Sequence, residues 1–377
     1  MSIIRKSHSS LLIFLFIALT VLLAACGGGS GKTNSSPSPS PSPTASPAPA
    51  AEEKSAATAA PTEPPKPALE TTSLSIGTAR DTQLSPLIVI ANEEGYFKEE
   101  GLEVKTELFA AGPDVIAALG SKSIQLGSSG DIPPIIAKAS GLPIEIIAQQ
   151  ADISGVQTLV VNPDKIKTPA DLNGKKIAFV PGTVSEAFFL RIAEKYGLDL
   201  KSIESFKIGP TELLPAFQAG NIDAFSIWQP VALNGVKKGG VALLTGKESH
   251  VPGEEGPQQL ISSYSILIAH NDFAAKNPET VKAVLRALNK SVAFIEANPD
   301  AAAEHIGKTL GQDAADIKTL IALNHYALNL TPELVTALES ISKFLKDNEK
   351  IKEVPDFKSF INTSYLKAVT PELVTIP

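Results

Sequence analysis

The sequence predicts an α/β protein of two lobes, each built on a mainly parallel sheet covered by helices. Three observations carry this expectation. Short apolar runs alternate with helical patterns, the β-α-β-α order of parallel sheets. The part able to fold, from Thr71 to Pro377, is about 300 residues long, above the size at which one core usually divides. Turns of small residues stand between strand and helix in both halves, where open α/β sheets hold their ligands.

In order, Leu74 to Thr78 reads as a strand and Ser85 to Phe97 as a helix with Gly95 near its end. Leu102 to Phe109 alternates apolar and polar residues, the period of a strand. Pro113 to Leu119 is a short helix, Ile124 to Gly127 a strand, Ile132 to Ala139 a helix and Ile144 to Ala148 a strand. Val156 to Val161 follows as another strand. A second unit is built in the same way, with a strand over Lys176 to Val180, helices over Ser185 to Tyr196 and Thr211 to Ala219, and strands over Ile222 to Trp228 and Val241 to Leu244. The long apolar strand Ser263 to Ala269 can return the chain to the first lobe. Beyond Pro278 the pattern is helical: Glu279 to Ala297, Pro299 to Leu310, Ala314 to Tyr326 and Pro332 to Asp347. The expected lobes are residues 71–161 with 262–377, and 162–261.

Composition narrows the function classes. Lys and Arg number 33 against 40 Asp and Glu, a net charge of −7, which argues against nucleic acid as a partner. A single Cys, Cys26, excludes a disulfide framework, a Cys-based metal site and a Cys-His protease. His8, His250, His270, His305 and His325 are scattered, with no pair at a metal-ligand spacing, so no metal is expected. There is no Gly-x-Ser-x-Gly nucleophile elbow, and no cofactor motif survives inspection. Gly31-Lys32-Thr33 imitates a phosphate-binding loop, but Cys26 stands where the motif needs Gly, and Ser-Pro repeats follow in place of a helix.

The first 25 residues read as an export signal: Arg5 and Lys6, an apolar run from Leu11 to Leu23, then small residues. The run is short for a spanning helix. Leu23-Ala24-Ala25-Cys26 resembles the bacterial lipobox, which implies cleavage before Cys26 and a diacylglycerol on its sulfur. Residues 27–70 contain ten Pro in 44 positions and one large aliphatic residue, Leu69, so they are expected to form an extended or disordered tether.

Three strand-to-helix junctions could carry chemistry. The first is Gly127-Ser128-Ser129-Gly130-Asp131-Ile132-Pro133-Pro134. Free N–H groups at a helix start and the helix dipole suit an anion, and the two hydroxyls add donors. Alternatively Ser129 or Asp131 caps the helix itself. The second is Pro181-Gly182-Thr183-Val184-Ser185-Glu186, in which Thr183 and Glu186 match a capping box. A Glu186 turned instead into the cleft would repel a bare anion. The third is Phe225 to Pro230, where Trp228 ends a strand and can stack on an apolar ligand tail or simply pack in the core. Arg80, Gly112 and Gln229 complete the candidate ligand-binding set of Ser128, Ser129, Gly130, Asp131, Thr183, Ser185, Glu186 and Trp228.

Phe109-Ala110-Ala111-Gly112-Pro113 followed by Leu126 to Pro134 resembles the aliphatic sulfonate-binding proteins of ABC importers. Ala216 to Ala224 and Ile227-Trp228-Gln229-Pro230 are similar to their second-lobe signature. Glu94-Gly95-Tyr96-Phe97 with Glu100-Gly101-Leu102 matches the wider nitrate, sulfonate, taurine and thiamine-precursor binding group. The resemblance implies a type II periplasmic-binding-protein fold, two lobes joined by two crossover strands, with a ligand held between them. It implies no enzyme activity, a small organic anion as ligand, an ABC permease with its ATPase subunits as partner, a monomer, and a lipid-anchored place at the outer face of the cell membrane, as in Gram-positive members. Its sulfonate and taurine binders often carry His or Asn where this chain has Glu186. An aliphatic sulfonate is the leading expectation, a pyrimidine precursor of thiamine the alternative, and an enzyme making such a pyrimidine a further one.

Overall fold

In the computed structural model the described residues, 67–376, form two sheets. The export signal, Cys26 and most of the Pro-rich tether lie outside the described residues. The strands are β1 (Ser73–Ala79), β2 (Glu103–Phe109), β3 (Leu126–Gly130), β4 (Ile144–Asp152), β5 (Thr158–Val161), β6 (Lys176–Phe179), β7 (Glu204–Lys207), β8 (Ala224–Ile227), β9 (Val241–Thr245), β10 (Glu248–Ser249), β11 (Gly256–Pro257), β12 (Tyr264–His270) and β13 (His325–Asn329). The first sheet has the order β13-β4-β12-β3-β1-β2 and the second β11-β10-β9-β5-β8-β6-β7. Both repeat one plan. The second, first and third strands of a lobe run in parallel, and the strand that has crossed from the other lobe is inserted before the fourth.

That insertion corrects the expectation of mainly parallel sheets. β1 pairs β2 and β3 in parallel, but β12 runs antiparallel to both β3 and β4. In the second sheet β5 is antiparallel to β8 and β9. A strand that arrives by crossing over enters its sheet from the far end. β5, expected in the first lobe, hydrogen-bonds wholly in the second sheet. β12 does return the chain to the first sheet, as its apolar run suggested.

The central strands are apolar on both faces because helices cover both. Ile144, Ile146, Ile147 and Ala148 of β4 and Ile266, Leu267, Ile268 and Ala269 of β12 are fully buried. The helix Pro278–Ala297 lays an apolar stripe that includes Val281, Val284, Leu285 and Leu288 into this core. The first expected helix breaks in two, Pro86–Glu93 and Tyr96–Glu99, at Gly95, whose φ of 76° Gly adopts without strain. The helix expected over 314–326 stops at Ile321, and His325–Asn329 becomes β13 on the open edge of β4. β7 and the helices Val231–Lys237 and Asn271–Lys276 are not foreshadowed by the periodicity of the sequence. No described helix is long and apolar enough to cross a membrane.

Two crossings join the lobes, from β4 to β5 and from β11 to β12. They are stitched together: Ile153 N donates to Ser263 O at 2.9 Å, and Ser263 N donates to Ser154 Oγ at 3.0 Å.

Candidate functional site

β3 holds the first surprise. The run Leu126-Gly127-Ser128-Ser129-Gly130, expected as a strand end and a turn, is strand throughout, paired with β1 and β12. Its small residues answer crowding: a Cβ on Gly127 would lie 2.8 Å from Val115 Cγ1. Strand alternation then sends the two hydroxyls to opposite faces. Ser128 Oγ lies 2.8 Å from the Leu84 carbonyl and 2.6 Å from Gln150 Oε1, inside the protein. Ser129 Oγ is buried with no hydrogen-bond partner. It faces Gly112, where an added Cβ would come within 2.6 Å of it.

Asp131 follows, at the start of the helix Ile132–Ala139. It does not cap that helix. Its Oδ1 accepts from Ser263 Oγ at 3.2 Å and its Oδ2 from Tyr264 N at 3.1 Å, so it pins the second crossing. Burial raises its carboxyl to about 7, against which those hydrogen bonds work. Pro133 and Pro134 bring no N–H to the helix start, which leaves fewer donors there than the sequence suggests.

In the second lobe the turn before the helix Val184–Tyr196 behaves as a cap. Thr183 Oγ1 accepts from Ser185 N at 3.2 Å and donates to Val180 O at 2.8 Å. Glu186 reaches one residue further back than a capping box requires: its Oε2 accepts from Gly182 N at 2.9 Å, while Oε1 pairs with Lys350 Nζ at 2.7 Å. Gly182 has φ 66°, which favours Gly. Ser185 is wholly buried and bonded across the sheet, its Oγ donating to Ser226 O at 2.6 Å and accepting from Val180 N at 3.0 Å.

Residues of both lobes enclose a small cavity of about 30 Å³. It has room for a water molecule or two. Of the residues singled out in the sequence, Gly112, Gly130, Asp131, Thr183 and Trp228 line it. Arg80 does not: its side chain is exposed and reaches toward Thr309 O at 3.5 Å. Ser128, Ser185 and Glu186 hold the frame instead, and Gln229 Oε1 caps the next helix by accepting from Leu233 N at 2.9 Å. Trp228 follows directly on β8, one residue past the strand end, and is 7% exposed.

Five lining residues carry no signal that singles them out in the sequence: Asp81, Gln83, Leu84, Ile153 and Gln157. The first three sit between β1 and the helix Pro86–Glu93, the same strand-to-helix grammar used elsewhere. Asp81 Oδ1 accepts from Gln83 N at 2.9 Å and Leu84 N at 2.8 Å, and burial raises its carboxyl to about 6. Among the described residues, no Lys, Arg or His lines the cavity, and no group of three or more His, Cys, Asp or Glu is placed to hold a metal ion.

The two buried acids set an unusual pH dependence. Their unfolded values are near 3.8 and their folded ones near 6 and 7. Between these limits the native state binds more protons than the unfolded chain, so their contribution to stability falls as pH rises from about 4 to about 7. We expect a higher melting temperature at pH 5.5 than at pH 7.5 by circular dichroism, with a smaller gain in Asp131→Asn. An undiminished gain in that variant would assign the effect to other groups.

Two α/β lobes, two crossovers and a cavity between them define the periplasmic-binding-protein fold. The alkanesulfonate-binding protein SsuA from Xanthomonas axonopodis pv. citri bound to MOPS has this fold, with a TM-score of 0.67 and 23% identity over 78% of this chain and 100% of that one. The NMT1/THI5-like family matches residues 82–302, and the chain belongs to it. The taurine-binding periplasmic protein of Escherichia coli (strain K12) is 27% identical over 80% of this chain and 95% of its own length. A second protein of that strain, named "Putative aliphatic sulfonates-binding protein", is 32% identical over 56% of this chain. The chain covers 64% of that relative, just under two thirds.

Proposed function

We propose that this is the substrate-binding protein of an ABC importer, a carrier and not an enzyme. It works outside the cytoplasm, captures a small organic oxyanion between its lobes, and delivers it to a permease served by ATPase subunits. The leading ligand class is an aliphatic sulfonate. One observation carries the reading: the cavity is bounded by the starts of three helices, at Gly112, Ile132 and Val184, drawn from both lobes. Helix starts present N–H groups and the positive end of the dipole, which favour an oxyanion without a cationic side chain. Gly112, Gly130, Thr183 and Trp228 are the proposed contacts, with Ser129 behind Gly112. The lobes follow the sheets, residues 71–157 with 262–377 against 158–261, and a ligand touching both favours the closed form.

Trp228 is the only Trp in the sequence and borders the cavity, so its fluorescence reports on the site directly. Titration with propane-1-sulfonate and 2-aminoethanesulfonate should give a saturable change with a roughly micromolar Kd. Silence with every sulfonate would remove the sulfonate assignment and leave the importer role standing.

Cys26 is the proposed lipid attachment point, with the tether holding the folded body near the outer face of the membrane. Two acyl chains suffice for stable anchoring where one is marginal. Cys26→Ser should move the protein from the membrane fraction to the medium or to an uncleaved precursor. Mature-sized protein remaining in the membrane would defeat the lipid anchor.

A further inference from the structure

Away from the crossings, two ion pairs and one cation-ring contact join the lobes. Lys350 Nζ, just beyond the helix Pro332–Asp347, lies 2.7 Å from Glu186 Oε1. On that helix the Phe344 ring lies beneath the Arg191 guanidinium, 3.8 Å from its centre. Lys237, last residue of the helix Val231–Lys237, pairs with Asp316 of the helix Ala314–Ile321. Glu186, Arg191 and Lys237 belong to the lobe of the second sheet, and their partners follow the return of the chain to the first. None of the six lines the cavity. Their helices nevertheless begin at or beside it: Glu186 stands two residues beyond Val184, and the helix of Lys237 starts three residues beyond Trp228.

The Lys350–Glu186 pair is asymmetric. Glu186 is 6% exposed, whereas the Lys350 side chain is 30% exposed and still reaches water. Without Lys350, the carboxylate would keep one N–H donor, Gly182 N, and little solvent. A buried charge that loses its partner is strongly unfavourable, and parting the lobes relieves it by admitting water. The intact pair contributes much less, because opening hydrates both of its ends. A broken pair therefore drives opening harder than the intact pair drives closing.

We infer that these contacts form a clasp between the lobes, in which Lys350 sets how strongly the closed arrangement is favoured before any ligand arrives. The inference rests on the reading that the lobes part. Lys350 is a positioning residue: it acts on a ligand only through the fraction of closed protein, and so scales the affinity for every ligand alike.

Trp228 is buried against the cavity, so a neutral quencher reaches it more readily once the lobes part. Acrylamide quenching of the ligand-free full chain, well below its melting temperature, therefore reads the clasp directly. Lys350→Met should raise the quenching constant about threefold or more, as the open fraction grows. Adding Glu186→Gln should return it most of the way, because the amide keeps an acceptor for Gly182 N and no longer needs the ammonium. Lys350→Arg should stay near the wild-type value. Lys237→Met should raise quenching less, since the Asp316 side chain is 26% exposed and retains water. That variant keeps the test open should Lys350→Met fail to fold. A lysine with a merely structural role would not be rescued by removing its partner's charge. Wild-type quenching in each Met variant that folds overturns the clasp, as does a double variant quenched as strongly as Lys350→Met. No sulfonate enters the measurement, so a failure of sulfonates to bind would sink the ligand assignment and leave this result standing.

Discussion

Gly246→Ala is expected to be among the most damaging single-methyl changes in the molecule. A Cβ at Gly246 would lie 1.9 Å from the Ser154 carbonyl oxygen and 3.0 Å from its carbon. Both are backbone atoms, so no side-chain rotation relieves the clash. Ser154 cannot retreat easily, because its Oγ donates to Asp152 Oδ1 at 2.6 Å and accepts from Ser263 N at 3.0 Å. Gly246 is equally tied, with its N–H donating to Gln157 O at 2.9 Å and its carbonyl accepting from Leu260 N at 2.9 Å. The expected loss is about 3 kcal/mol, the upper end of overpacking costs. Urea unfolding followed by circular dichroism should show a large fall in midpoint. Gly155→Ala, on the same crossing, is the control: its Cβ would meet Leu323 O at an ordinary 3.5 Å. Equal stability of the two variants would mean that the crossing yields more readily than its hydrogen bonds suggest.

The second large effect falls on Ser185. Ser185→Ala leaves the Val180 N–H and the Ser226 carbonyl without their buried partner. At about 1–3 kcal/mol for each of the two unpaired groups, the expected cost in stability is about 2–6 kcal/mol. Ser226 Oγ, which donates to Ser185 O at 2.7 Å, still holds the two segments together, so the fold survives. Ligand affinity at a temperature well below melting should change by less than about threefold, because the hydroxyl does not border the cavity. Lost binding with unchanged stability would return Ser185 to the ligand.

These two residues mark where sequence reasoning reaches its limit. Strand-turn-helix grammar located junctions that border the cavity, since residues from three of them line it. It did not tell which residue of a junction faces inward. Ser128 and Ser129 look interchangeable in sequence, yet one residue of register in β3 sends them to opposite faces. Arg80 was among the candidate contacts, while the groups that border the cavity stand one to four residues later, at Asp81, Gln83 and Leu84. Thr183 and Glu186 were readable as local capping because both partners lie within a turn of chain. Lys350 and Ser226, the distant partners of Glu186 and Ser185, were not, since no local pattern announces contacts across so many residues. β13 was hidden for a related reason: its strand state comes from the open edge of β4 and not from its own composition.

The bond pair made by Asp131 has a further consequence for how such a protein can diverge. One carboxylate both borders the proposed cargo chamber and pins the second crossing between the sheets. A lineage that altered residue 131 to accept new cargo would alter that crossing in the same step. Gln83 Oε1 and Gln157 Oε1 hold no such second duty. Shifts of diet should therefore accumulate at positions 83 and 157, while position 131 stays still.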